Sequence, residues 1–312
     1  MSHDQAGKRL KIFFIVEPGP LEVQAHLLVS SLVLNCRDCF SLQAFCRAER
    51  VSGLQAETLA FLADHHVELS VIENDFPDGY PAGNKLIAAS AVSGADWFLF
   101  LDTDMVMMRP ASFLAEAEDG RAAMCLDTIN GWSNKPEQWS RLFGAFGLSV
   151  PEEVIVYPHG NEGPPIYNAG LLLFPDNGPQ GRHFGQLWLA TAKTLDALPD
   201  LDSKRPWLDT IAVLPTLAQF PQFGPKRLPR IWNNTTSMSE DDAVIVHYHG
   251  IRQIKQFGWL DRVDQVLAAS PSPFDSLWAL AFHFKRALGV EGDVFRRAMR
   301  HGLMTQTPVG KG

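Results

Sequence analysis

Two aspartates separated by one residue, Asp102-Thr103-Asp104, interrupt the apolar run WFLFLDTDMVMMRP between Trp97 and Pro110. At the mouth of a buried strand two carboxylates repel each other and lose hydration, so they call for a positive partner. In an extended segment residues i and i+2 point the same way, which lets both acids converge on one ion. A hard divalent cation such as Mg²⁺ or Mn²⁺ takes oxygen ligands, cancels the repulsion, and can bridge onward to phosphate oxygens. The plain alternative is a solvated turn in which each acid caps the backbone.

The stretch FLFLDTDMV also matches the signature of haloacid-dehalogenase-type phosphatases, an apolar strand followed by Asp-x-Asp-x-Thr/Val. There the first acid is a nucleophile and the second a general acid, beside Mg²⁺. That signature stands near the chain start and precedes a strand ending in two acids. Here three apolar strands come first, and the later pair Asp241-Asp242 precedes the strand VIV instead of ending it. The order counts against this chemistry.

The elements around the two acids alternate. KIFFIV, FSLQAFC, VELSVI and WFLFL are short β-rich runs, separated by the helical patterns LEVQAHLLVSSLVL, SGLQAETLAFLADH and NKLIAASAVSGA. Near-continuous apolar strands between helices predict an α/β fold whose sheet is covered on both faces. Such sheets bind ligands beyond the carboxyl ends of their strands, where Glu17, Asp102 and Asp104 all fall. Past Pro110 we expect a short helix in ASFLAEAEDG and a strand in RAAMCL. A long loop over 129–165 follows, then the strand IYNAGLLLF, helices in HFGQLWLATAKTLDAL and PWLDTIAVLPTLA, and a strand in DAVIVHYHG. Two amphipathic helices are expected in the tail.

At 312 residues the chain can bury a substantial core, and its net charge of −8 disfavours a nucleic-acid partner. Cys36, Cys39 and Cys46 lack a fourth partner at ligand spacing for zinc. No apolar leader with a cleavage site precedes KIFFIV and no run approaches membrane-spanning length, so a cytoplasmic location without glycans at Asn233 or Asn234 is expected.

Four segments in fixed order make the chain resemble the metal-dependent GT-A-fold glycosyltransferases, most of all glycosyltransferase family 8, the family of glycogenin and bacterial lipopolysaccharide galactosyltransferases. They are KIFFIVEPG, NKLIAASAVSGADWFLFLDTDMVM, IYNAGLLLF and VIVHYHG. The resemblance implies a mixed, mainly parallel sheet. It implies a domain over 1–270, with a nucleotide-binding half at about 10–127 and an acceptor half at about 128–270, followed by a helical tail at 271–312. It implies transfer of a sugar, with retention, from a nucleoside diphosphate sugar (UDP-linked) to a saccharide or lipid-linked acceptor. A non-catalytic nucleotide-sugar-binding protein of the same fold is the alternative.

The resemblance also implies roles for single residues. Asp102, Asp104 and His247 would hold the metal; an imidazole among carboxylates tilts preference towards Mn²⁺ over Mg²⁺. The His-x-x-Gly spacing selects His247 over His249. Lys85 would be a cation near the donor phosphates, a role that suits its place at a helix start, where the dipole otherwise disfavours it. Ile15 and Glu17 would lie at the nucleobase, Thr103 beside the nucleotide, and Asp127 at the sugar hydroxyls. Asn168 and Gly170 would line the sugar and acceptor side, and Asp209 the reacting carbon. The family's Lys-Pro-Trp is missing after His-x-x-Gly, and Arg252 or Lys255 stands as the substitute cation.

Two further expectations rest on composition. Trp132, Trp139, Tyr157 and His159 in the long loop offer aromatic faces for an acceptor sugar. In the tail, Lys285, Arg286, Arg296, Arg297 and Arg300 among Trp278, Phe282, Phe284 and Phe295 can seat a helix on an anionic membrane, or can be the solvated face of packed helices.

Overall fold

The computed structural model describes residues 7–128, 132, 135–158, 160–235 and 242–287; for Arg252 and for 285–287 it describes the backbone only. The first four strands form where the apolar runs lie: β1 (Leu10–Ile15), β2 (Phe40–Arg47), β3 (Val67–Ile72) and β4 (Trp97–Leu101). They alternate with α1 (Pro20–Asn35), α2 (Ala56–Asp64) and α3 (Gly83–Ala91). Then come β5 (Met105–Met107), β6 (Ala123–Leu126), α4 (Pro136–Gly144), β7 (Ile155–Val156), β8 (Glu162–Gly163) and β9 (Tyr167–Pro175). The remainder is α5 (Phe184–Asp196), α6 (Leu208–Gln219), β10 (Lys226–Arg227), β11 (Asn234–Thr235), β12 (Ile245–His247), α7 (Ile251–Gln256), α8 (Leu260–Ala269) and α9 (Leu277–Ala287).

The main sheet has the order β10-β6-β9-β4-β1-β2-β3, parallel throughout except for β9, which runs antiparallel between β4 and β6. Alternate residues of each strand feed opposite cores, as a period of two requires. Phe13, Phe98, Phe100 and Phe174 pack under α3, α5 and α6, whereas Ile12, Phe14, Leu99 and Leu173 pack against α1 and α2. Chain order reverses between β1 and β4, the switch point at which open α/β sheets leave a crevice. A second sheet, β11-β12-β5, lies at that crevice, with β12 antiparallel to β5 and Met105 opposite His247.

Three local expectations need correction. ASFLAEAEDG makes only a single 3-10 turn at Leu114–Glu116. The stretch expected to be an unbroken loop carries α4 and the β7–β8 ribbon. DAVIVHYHG gives a strand of three residues, because β5 offers it a partner no longer than that.

Of the tail, α9 docks on the body. Leu277, Leu280 and Phe284 are fully buried in a third core with Leu27 of α1, Val263 and Leu267 of α8 and Val246 of β12. Its outer face carries Trp278 and Phe282, stacked at 4.9 Å. The second tail helix, with Phe295, Arg296, Arg297 and Arg300, lies outside the described residues.

Under α9 sits His26, fully buried, stacked on Phe61 at 3.9 Å, with no partner for either ring nitrogen among the described residues. Burial first, then His65 and His283 nearby, push its pKa down to about 3 from 6.5. Between those values the unfolded chain binds a proton that the folded chain refuses, so stability is full above the upper value and falls as the pH drops. The loss between neutral pH and pH 5 comes to about 2 kcal/mol. His26→Phe should remove that component: urea unfolding at pH 7 and at pH 5 should show a smaller acid penalty in the variant, and parallel losses would contradict the assignment.

Candidate active site

The turn 102–104 joins β4 of the main sheet to β5 of the small one. Its middle residue, Thr103, is buried and donates from Oγ1 to the Ile15 carbonyl at 2.5 Å, which pins the turn to the end of β1. Asp102 N–H bonds to the Gly170 carbonyl at 2.7 Å and the Asp104 carbonyl accepts from Tyr248 N–H at 3.0 Å. Backbone contacts to β9 and to the end of β12 therefore fix both acids.

β12 ends at His247, whose Nε2 lies 3.2 Å from Asp104 Oδ1 and 3.9 Å from Asp102 Oδ2. Its Nδ1 is 3.2 Å from Asn233 Oδ1. Asn233 uses its amide nitrogen to donate to Asn168 Oδ1 at 2.8 Å, so its oxygen faces the imidazole and Nδ1 must carry the hydrogen. The neutral ring then turns the lone pair of Nε2 towards a carboxylate oxygen. Two acceptors at 3.2 Å are stable only with a proton or a cation between them. The donor set thus fits a metal ion, and the Asn233–Asn168 relay orients the histidine as such ligands need.

Gly170 closes this pocket from β9. A Cβ placed there would lie 2.8 Å from Asp102 Oδ2, 2.9 Å from Asn168 Oδ1 and 2.9 Å from the His247 ring. Asn168 accepts from the Gly170 N–H at 2.9 Å through Oδ1, and its Nδ2 reaches Asp127 Oδ1 at 3.5 Å. Asp127 is buried just past β6 and also takes the Thr128 N–H.

On the other flank Lys85, in the first turn of α3, lies 2.8 Å from Asp102 and 3.0 Å from Asp209. Asp209 sits in the first turn of α6, where the helix dipole favours an acid. The Tyr80 hydroxyl donates to the Pro206 carbonyl at 2.6 Å and lies 3.3 Å from Asp209 Oδ1.

These contacts set the protonation of the site. Burial disfavours the charged form of each group. Asp102 is raised, burial and the neighbouring Asp104 outweighing Lys85. In Asp104 the His247 ring and its hydrogen bond overcome burial and hold the carboxyl down to about 2. His247 is raised because Asp104 and then Asp102 overcome its burial. Lys85 is raised by Asp102 and Asp209 against burial and is firmly cationic.

Several expected site residues are placed differently. Glu17, expected at a nucleobase, accepts from Arg47 Nε at 2.5 Å, Arg47 Nη2 at 3.0 Å and Asn84 Nδ2 at 3.0 Å, so its carboxylate is already engaged. Ile15 ends β1 and contributes its carbonyl to the Thr103 pin. Tyr157 is no exposed sugar platform: its hydroxyl donates to the Pro164 carbonyl and accepts from Ile166 N–H, folding its own loop. Trp132 and Trp139 are likewise buried, with their indole N–H groups on the Ser203 and Trp132 carbonyls. Lys255 is exposed on α7; the side chain of Arg252, on the same helix, and His159 lie outside the described residues.

Some members of the constellation have no sequence signal of their own. Arg47 of β2, Asn84 of α3, Tyr80 of the turn before α3 and Asn233 of the loop before β11 are joined only by the fold. His249, set aside on spacing, stands with its ring 3.9 Å from that of His247.

The mixed, mainly parallel sheet flanked by helices is shared with GT-A glycosyltransferases of known structure. The galactosyltransferase LgtC, in complex with donor and acceptor sugar analogues, superposes with a TM-score of 0.53 at 11% identity, covering 84% of this chain and 96% of its own. The apo WbbM bifunctional glycosyltransferase gives 0.53 at 11% identity over 90% of this chain and 52% of its own, so the chain spans about half its length. These likenesses establish the fold. No curated protein matches the sequence. The chain belongs to the Rhodobacterales glycosyltransferase domain family, which matches residues 12–220. It is a glycosyltransferase, and the phosphatase and non-catalytic readings are set aside.

Proposed function

We propose that the protein transfers a sugar with retention from a UDP-sugar to a saccharide or lipid-linked acceptor, with Mn²⁺ or Mg²⁺ held at Asp102, Asp104 and His247. The observation that carries this reading is the pair of facing acceptors, Asp104 Oδ1 and His247 Nε2, held 3.2 Å apart by the Asn233 relay. A bound divalent ion supplies the positive charge against which a diphosphate can leave. Lys85 adds a second fixed cation beside Asp102 and steadies Asp209 next to it. Asp127 and Asn168 offer polar contacts to the sugar, and Gly170 leaves the space in which it lies. Thr103 keeps the turn against β1. Lys255, exposed on α7, or Arg252 of the same helix supplies the substitute positive charge for the diphosphate.

The outward Trp278–Phe282 stack supports seating of α9 on the cytoplasmic face of an anionic membrane, where a lipid-linked acceptor is met. No helix among the described residues is long and apolar enough to cross a membrane.

Calorimetric titration of UDP tests the central claim. Binding should require Mn²⁺ and should be lost in Asp104→Ala. Equal UDP affinity with and without the ion would reject the metal-dependent reading.

A further inference from the structure

Three residues outside the sequence-derived ligand set of Asp102, Asp104 and His247 bear on what ion the site accepts: His249, Gly250 and Tyr248. His249 follows the end of β12 by two residues, in a backbone with φ of +51°, uncommon for a residue with a side chain. Gly250 N–H bonds back to the Tyr248 carbonyl at 2.5 Å, so the chain reverses in three residues centred on His249. The consequence is a second imidazole at the crevice. Ligand atoms of Asp104, His247 and His249 all lie within 4.8 Å of one another. Asp102 meanwhile keeps both oxygens near Lys85, at 2.8 and 3.1 Å.

We infer that His249 is a metal ligand in this chain and adds a second imidazole to the site of Asp102, Asp104 and His247. The inference rests on the metal-dependent reading above and refines it. His247 is buried while His249 is exposed, so the group is closed on the protein side and open towards solvent. That is the form of a site that keeps positions for a substrate oxygen. Two nitrogen donors change the selectivity. Magnesium prefers oxygen ligands in strict octahedral geometry and dehydrates reluctantly, whereas imidazole suits borderline first-row transition ions. The site therefore favours Mn²⁺, and Co²⁺ more strongly, over Mg²⁺.

The bland account is that the two rings merely stack, with His249 serving the turn. Metal titration of the full chain separates the accounts without relying on turnover. The probes are Mg²⁺, Mn²⁺ and Co²⁺ alone, by calorimetry, with echo-modulation spectroscopy of bound Mn²⁺ to count imidazole nitrogens. His249→Gly suits the left-handed backbone and removes only the ring; His249→Asn, which also tolerates it, guards against a folding artefact. The wild type should show two imidazole nitrogens and a clear preference for Mn²⁺ over Mg²⁺. His249→Gly should show one nitrogen and a loss of Mn²⁺ affinity of about 10- to 100-fold, with Mg²⁺ affinity much less changed. If the wild type binds Mn²⁺ through one nitrogen and both variants match it, His249 is no ligand, while the metal-dependent reading stands. If the wild type binds none of the three ions, both fail together.

Discussion

Gly170→Ala should give a folded protein that has lost its donor site. The added methyl would stand under 3 Å from Asp102, Asn168 and the His247 ring at once, and none of the three is a flexible chain end that can swing aside. Asp102 is tethered by its backbone to Gly170 itself, Asn168 by Asn233, and His247 by the β12–β5 pairing. Something in the ligand set must move, by an amount that costs on the order of 100-fold in binding or turnover. The main core, formed by Leu171 to Phe174 further along β9, is left in place. The measurement is UDP affinity in Mn²⁺ beside a thermal melt. A variant that melts like the wild type and binds UDP as well would show that the crevice is not where the donor lies.

The second large effect concerns stability. Lys85→Met should cost about 3–5 kcal/mol, because it removes the shared partner of two acids and leaves their charges uncompensated in a largely desolvated place. Asp102 and Asp209 have side-chain exposures of only 23% and 9%. Methionine matches the length of the lysine stem, so the volume is kept, and the loss is electrostatic, including the smaller contact of the ammonium over the Phe100 ring. Neutralising one orphan should recover part of it: Lys85→Met with Asp209→Asn should be more stable than Lys85→Met alone, a coupling that urea unfolding measures directly. A single variant within experimental error of the wild type would mean that water, not Lys85, solvates the two acids.

What could be read from the residues, and what could not, divides along the range of the interactions. β1 to β4 announce themselves as apolar runs, and the two-acid turn is visible because a charge pair beside such a run is anomalous. Glu17 shows the limit. It was expected to face a base, but parallel pairing of β1 with β2 sets Ile15 beside Phe45, and that register delivers Arg47 to Glu17 two residues later. No local pattern encodes a register. The aromatics of 129–165 were misjudged for a related reason. Trp139 and Tyr157 have amphipathic bodies that serve a sugar or a core equally well; α4 turns Trp139 into the core, and the Pro164 and Ile166 backbone bonds hold Tyr157 there. His249 failed on geometry: spacing along the chain ranks it behind His247, and only a left-handed turn brings it back.

The order in which the chain is made gives the Lys85 bridge another meaning. During synthesis Lys85 emerges before Asp102 and Asp104, whereas Asn168, Gly170, Asp209 and His247 follow much later. The contacts of His247 and Tyr248 with the two-acid turn close the longest stretches of chain among those that build the crevice, and long closures are slow to form. Lys85 is thus a counter-ion that precedes the acidic turn in the chain, whereas its imidazole neighbour His247 comes well after it.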